Sequence, residues 1–332
     1  MKIIPPYLMF LGDAVDQLAA KTANGVAHWR PDWCLGQLRL EGCNADIGLP
    51  DMGLQEAAEK GVKTLVLGVA NQGGYIGEAW ADTLMQAVDL GFDIASGLHT
   101  SLSSLPGLAD AAKAKGCQLY DVRHPTQTFD VGRGHKRNGK RLLTVGTDTS
   151  VGKMFATLAI EKEMKARGAN CTFRATGQTG IFIAGEGVSV DAVVADFISG
   201  ATEWLCPEND PDHWDLIEGQ GSIHHASYAG VTLGLIHGSQ PDLLVLCHDP
   251  GRPNMRGTPS IPVHSLSATI DACERAARLT NPNVKTIGVA INTSKLSEKE
   301  CDRELKAAAE ETGLPAVDPV RNGVSAIVDQ IL

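Results

Sequence analysis

One short segment constrains this chain more than any other. Gly146, Thr147, Asp148, Thr149, Ser150, Val151, Gly152 and Lys153 run in sequence between a buried-strand pattern at 142–145 and a helical stretch over 154–167 closed by Gly168. Strand, glycine-bounded loop with Gly-Lys, then helix is the setting a phosphate-binding loop requires. The glycines let the backbone curl so that several N–H groups converge. The helix N-terminus adds partial positive charge and Lys153 a full one. The loop is one residue longer than the common motif, so Thr147 stands where the first glycine usually does. After Gly-Lys the motif normally supplies a Ser or Thr hydroxyl for Mg²⁺. Here the residue is Met154, whose thioether suits that hard cation poorly, and Thr157 lies nearly a helical turn further on. The loop is therefore expected to hold phosphates with the usual cleavage machinery impaired.

The surrounding pattern sets the fold class. Short apolar runs alternate with helical stretches from end to end, which predicts α/β architecture with mostly parallel sheets. In the N-terminal half the pattern predicts helices over 51–61, 79–90 and 106–115 and strands over 64–69, 92–96 and 118–122. Asn71, Gly73 and Gly74 are expected to form a turn. This half reads as a Rossmann-like, doubly wound unit. The stretch 123–140 breaks the rhythm with Arg133, His135, Lys136, Arg137 and Lys140 among glycines. It reads as an exposed connector, or alternatively as a contact for a ligand phosphate. The boundary is placed near 138, giving a Rossmann-like domain over 1–138 and a P-loop NTPase-like α/β domain over 139–332. In the latter, strands are expected at 142–145, 171–174, 214–218, 243–247 and 286–291.

Composition narrows the partners. The 332 residues carry a formal net charge of −10, which disfavours nucleic acid and anionic lipid and favours small molecules. The eight cysteines are scattered without a Cys-x-x-Cys pair, so neither a disulfide framework nor a metal site is expected. The apolar run near the N-terminus holds two prolines and lacks a small-residue cleavage site, and no stretch is long and apolar enough to span a bilayer. A cytoplasmic enzyme, forming a homo-oligomer, is the expectation.

A second anchor follows the strand pattern that begins at Trp214. It delivers Glu218 onto the turn Gly219-Gln220-Gly221, where a carboxylate beside a phosphate loop can orient water, metal or substrate. With the loop, this segment is similar to dethiobiotin synthetase and its relatives, although Met154 departs from their pattern. A wider set of motifs covers the whole chain: the loop ending Gly152-Lys153-Met154, Gly177-Gln178-Thr179-Gly180, Ile183 to Gly187, Val190 to Phe197, Val245 to Arg252 and the Asn-Gln-Gly-Gly run at 71–74. Together they resemble the two-domain DgcN-like family, which includes D-glutamate N-acetyltransferases. The resemblance implies transfer of the acetyl group of acetyl-CoA to the amino group of D-glutamate, the loop gripping the coenzyme's phosphates. Two other readings stay open from the residues: an ATP-dependent ligase or kinase of the dethiobiotin synthetase type, and a non-catalytic nucleotide-binding module. Whether Mg²⁺ takes part is also left open.

Amide formation from a thioester needs a base for the amine proton and cations for the acceptor's carboxylates. His248 and Asp249, just beyond the strand at 243–247, are candidates for the base and its orienter, alongside Glu218. Arg252 is the first choice for a substrate carboxylate, with Arg174, Gln178 and His99 as further pocket members. Asp191 and Asp196 are expected on one helix, and His224 and His225 are read as structural.

Overall fold

The structure is a computed structural model describing residues 2–69, 76–125 and 127–332; the turn expected at Asn71, Gly73 and Gly74 lies outside these. The chain divides into two compact units, one of residues 1–127 with 177–192, the other of residues 128–176 with 193–332. The sequence predicted a single cut near 138. The observed division differs in that residues 177–192, from the C-terminal half, belong with the first unit.

In the first unit five parallel strands form one sheet. They are β1 (Tyr7–Gly12), β2 (Cys34–Arg39), β3 (Thr64–Leu67), β4 (Asp93–Ser96) and β5 (Leu119–Asp121), in the order β2-β1-β3-β4-β5. Helices α1 (Lys21–Trp29), α2 (Leu54–Glu59), α3 (Glu78–Asp89) and α4 (Leu108–Lys115) make the crossovers. Every residue of β1 and β3 is buried, as expected of parallel strands covered on both faces. Gly116, at φ +73°, closes α4 in the left-handed conformation that glycine adopts without penalty.

The second unit is built on a six-stranded parallel sheet. Its strands are β6 (Lys140–Gly146), β7 (Cys171–Arg174), β8 (Trp214–Ile217), β9 (Leu243–His248), β12 (Lys285–Ile291) and β13 (Ala316–Val317), in the order β13-β12-β9-β6-β8-β7; a separate two-stranded hairpin of β10 (Asn254–Met255) and β11 (Thr258–Pro262) follows β9. The helices are α5 (Lys153–Ala166), α6 (Gln178–Ala184), α7 (Ile198–Leu205), α8 (Ala229–Ser239), α9 (Leu266–Ala277), α10 (Glu298–Thr312) and α11 (Ser325–Val328), of which α6 lies in the first unit. Because all six strands run the same way, Gly146, Arg174, Glu218, His248, Asn292 and Asp318 stand at or just past one edge of the sheet. The strand order reverses around β6, and open α/β sheets bind ligands at such a point.

Two expectations need correction. The basic stretch is no loose connector. Arg137 Nε donates to Cys206 O at 2.8 Å and its Nη2 to Gly238 O at 2.8 Å, Lys136 Nζ reaches Asp242 Oδ1 at 2.7 Å, and Gly200 packs so tightly that a Cβ there would stand 1.7 Å from Asp130 O. The segment is strapped to α7 and α8, and the cations of Lys136 and Arg137 are engaged within the fold. Asp191 and Asp196 do not share a helix: they fall on two separate single turns, Val190–Ala192 and Ala195–Phe197. Asp191 pairs with Arg123 at 3.3 Å within the first unit.

Candidate active site

The loop after β6 is shaped by left-handed residues. Ser150 has φ +53° and Gly152 φ +98°. A serine in that region is uncommon and costs on the order of 1–3 kcal/mol, a cost retained mostly where function demands the shape. The curl leaves the main-chain N–H groups of Ser150, Val151, Gly152 and Lys153 without an acceptor among the described residues. They form, with the start of the fourteen-residue α5, the cluster of donors an anion requires.

Lys153 is buried beneath this cluster. Its Nζ donates to Asp148 O at 2.9 Å and to Gly221 O at 2.8 Å. An ammonium has three protons, so one remains for a phosphate oxygen. Burial pushes the Lys153 ammonium down to about 8, only partly opposed by Cys247, Asp148 and Glu218. The charge is thus held at a cost that an arriving anion relieves. Gly146 is required here, because a Cβ would stand 3.0 Å from Lys153 Nζ and 2.9 Å from Val151 Cγ2.

Asp148 and Arg252 hold the loop from behind. Arg252 Nη1 donates to Asp148 Oδ2 at 3.1 Å and to Thr149 O at 2.6 Å, Nη2 donates to Ser150 O at 2.8 Å, and Nε pairs with Asp249 Oδ2 at 3.0 Å. Burial alone would raise the Asp148 carboxyl. The N–H groups of Arg256 and Thr149, together with Arg252, outweigh that and hold it below the usual range. The sequence offered Arg252 to a substrate carboxylate, but the structure spends its guanidinium on bracing the loop. Arg174 is likewise engaged elsewhere: its Nε donates to the buried Asp215 at 2.7 Å, and Asp215 also faces Arg141 Nε at 3.8 Å.

His248, at the end of β9, joins the loop from the side. Its Nδ1 lies 2.9 Å from Thr147 Oγ1, which gives a reason for threonine at the usual glycine place. Burial lowers the imidazole below its ordinary value, with Asp249 opposing, so the ring is neutral near pH 7. Asp249 Oδ1 accepts from Gly251 N at 3.1 Å. Thr157 cannot stand in for the missing metal-binding hydroxyl: it is buried, donates to Lys153 O at 2.8 Å and lies 3.0 Å from Thr144 Oγ1.

Glu218 lies across the loop at the end of β8. Its Oε2 accepts from Thr176 N at 3.0 Å, and Thr176 Oγ1 donates back to Glu218 O at 2.6 Å. Gly219 is confined by Thr144 O, 1.7 Å from where a Cβ would sit. Ser150, Gly152, Lys153, Met154, Phe155, Glu218, Gly219, Gln220 and Asn292 enclose a cavity of about 370 Å³. Sequence reasoning missed Asn292 and Thr176. Each follows a strand at the ligand edge, and that position alone could have flagged them. Gln178 and His99 lie in the first unit, where Gln178 packs against Gly97 and His99, exposed, meets His124 Nε2 through its carbonyl at 3.1 Å. Neither belongs to the unit that carries the phosphate loop. Among the described residues no cluster of three His, Cys, Asp or Glu side chains is grouped to hold a metal ion, and no helix is long and apolar enough to cross a membrane.

The comparisons agree with this architecture. Residues 38–125 match the family described as the Rossmann-like domain DUF1611_N, and residues 129–328 match its P-loop counterpart, DUF1611_C. A protein of Tritonibacter scottomollicae named D-glutamate N-acetyltransferase is 54% identical over 326 residues, covering 98% of both chains. One of the same name from a Pseudoalteromonas species is 48% identical over 328 residues, covering 99% of both. A crystal structure of a DUF1611 family protein from Anabaena variabilis superposes with a TM-score of 0.85 at 31% identity and 99% coverage of each chain.

Proposed function

The chain belongs to the DUF1611 family, and we propose that it is an N-acetyltransferase acting on D-glutamate with acetyl-CoA as the donor. Full-length relatives at 48–54% identity carry the acceptor and reaction type. The observation that supports the donor is a phosphate loop complete in its amides and lysine but with Met154 at the Mg²⁺ position. Such a loop suits a ligand whose diphosphate is gripped and left intact.

In this reading the free N–H groups at 150–153 and the third proton of Lys153 take the coenzyme's diphosphate. The acceptor's neutral amine attacks the thioester carbonyl carbon; an N–C bond forms and the C–S bond breaks. The amine's surplus proton goes to a base and the thiolate leaves to be protonated as free coenzyme A. His248 suits the base. In the tautomer whose Nδ1–H donates to Thr147 Oγ1, Nε2 keeps its lone pair, and burial, which lowers the pKa, favours the unprotonated ring. Glu218 shapes the opposite wall. The test is direct: purified protein with acetyl-CoA and D-glutamate should release thiol only when the amino acid is present. ADP formation from ATP and an acceptor, without thiol release, would instead establish a ligase or kinase.

A further inference from the structure

A second cavity of about 390 Å³ adjoins the phosphate loop on the side away from Glu218, and it is chemically unlike the first. Val151, Phe155, Ala290, Ile291, Pro319 and Val320 give it apolar walls, with Asn292, Ser294, Asp318 and Arg321 as its polar members. It shares Gly152, Phe155 and Asn292 with the cavity lined by Lys153 and Glu218, so the two adjoin at the first turn of α5. In an adenosine 5′-diphosphate only the ribose separates base from phosphates. A diphosphate seated on 150–153 must therefore place its base in a neighbouring recess, and this is an apolar recess beside the loop.

The rim carries the information about which adenosine fits. The loop after β13 is folded around Asp318, whose Oδ1 accepts from Val320 N at 2.8 Å and Arg321 N at 3.0 Å, while its Oδ2 takes the N–H of Thr293 at 3.1 Å and that residue's hydroxyl. Its carboxylate keeps its charge, but each oxygen is occupied by two donors of the protein itself. Arg321 is exposed, donates only through Nη2 to Leu296 O at 2.7 Å, and has no carboxylate partner among the described residues. An uncommitted guanidinium at the mouth of a purine-sized slot matches a phosphate on the ribose.

We infer that this slot is the adenosine subsite of the donor, with Arg321 receiving the ribose 3′-phosphate and so selecting coenzyme A over ATP. The inference rests on the acetyl-CoA reading and adds to it the residues that tell one adenine nucleotide from another. The slot lies entirely in the unit bearing the phosphate loop.

Calorimetric titration of the full-length protein with coenzyme A and with dephospho-coenzyme A tests it. The wild type should bind coenzyme A about tenfold more tightly, the worth of one charge-assisted contact. Arg321→Ala should close that gap by weakening coenzyme A alone. Val320→Glu, at a side chain 68% exposed and so compatible with the fold, should weaken both ligands about tenfold through charge repulsion at the rim. In the wild type, adenosine 3′,5′-bisphosphate should displace coenzyme A better than 5′-AMP does, a comparison that changes only the 3′-phosphate and requires no variant. An unchanged ratio in Arg321→Ala, or equal competition by the two nucleotides, overturns the subsite while leaving the acetyl-CoA reading intact. A wild type that binds Mg²⁺-ATP and neither form of the coenzyme overturns both.

Discussion

Arg252 reaches back over 104 residues of sequence to donate to Asp148, a carboxylate that is 1% exposed inside the phosphate loop. The pair ties the turn after β9 to the turn after β6, so the loop's curl is held by tertiary contacts as well as by glycine.

Removing one partner of such a pair leaves the other charge buried and uncompensated, which costs about 3–5 kcal/mol. Arg252→Ala should therefore lower unfolding stability by roughly 3 kcal/mol in a denaturant titration. Arg252→Lys should recover little of it, because an ammonium cannot serve Asp148, Asp249 and two main-chain carbonyls in one plane. Near-wild-type stability for Arg252→Ala would show that the loop is held by its glycines alone.

Lys153 sets a pH limit on ligand binding. Its folded value of about 8 lies below the ordinary 10.5. The unfolded chain therefore binds more protons between those values, and this group's contribution makes native stability rise as pH rises through that window. Diphosphate binding needs the charged form, so its affinity should be full below pH about 8 and fall above it. Coenzyme A titrations at pH 7 and pH 9 should show the weakening, and Lys153→Ala should bind poorly at both. A flat profile in the wild type would mean the ammonium makes no contact with the anion.

His248 carries the prediction for turnover. His248→Ala should lower kcat by about 10²- to 10⁴-fold, the usual range for a general base, with a smaller change in KM for acetyl-CoA. The wild-type pH–rate profile should lose activity on the acid side only below the ordinary histidine range, since burial lowers this imidazole. A variant that keeps its kcat would transfer the role to another group or to water.

Met154 separates gripping from cleaving. Met154→Thr restores the hydroxyl that the common loop places on Mg²⁺. This variant should bind ATP more tightly when Mg²⁺ is present than when it is chelated, whereas the wild type should show little difference. Equal Mg²⁺ dependence in both proteins would remove the argument drawn from this position.

The phosphate loop was legible because its signal is local: strand, turn and helix follow one another over 140–166. The positions of Glu218 and His248 in the fold were legible for a related reason, each standing at or just past the end of a strand pattern. The bracing contacts of Arg252 were not legible because its partners are distant in sequence, and nothing near it distinguishes a brace from a substrate clamp. The Arg174–Asp215 pair was hidden likewise, since Asp215 lies on the neighbouring strand. The strands β1 and β2 were not anticipated. The first abuts two prolines in an apolar run that reads as readily as a leader, and the second contains Gly36 and Gln37 and shows no alternation. In the first unit the sheet order comes from pairing between segments far apart, which no window of sequence displays.

Thr176 is fastened to Glu218 on both its nitrogen and its hydroxyl, and the very next residue begins the sixteen-residue excursion, 177–192, into the first unit. Severing the gene at codon 127 would therefore not yield two self-sufficient proteins: the shorter product would lack α6 and the longer would carry it without a home. Any attempt to shuffle its halves with those of other enzymes must carry this loop of chain along.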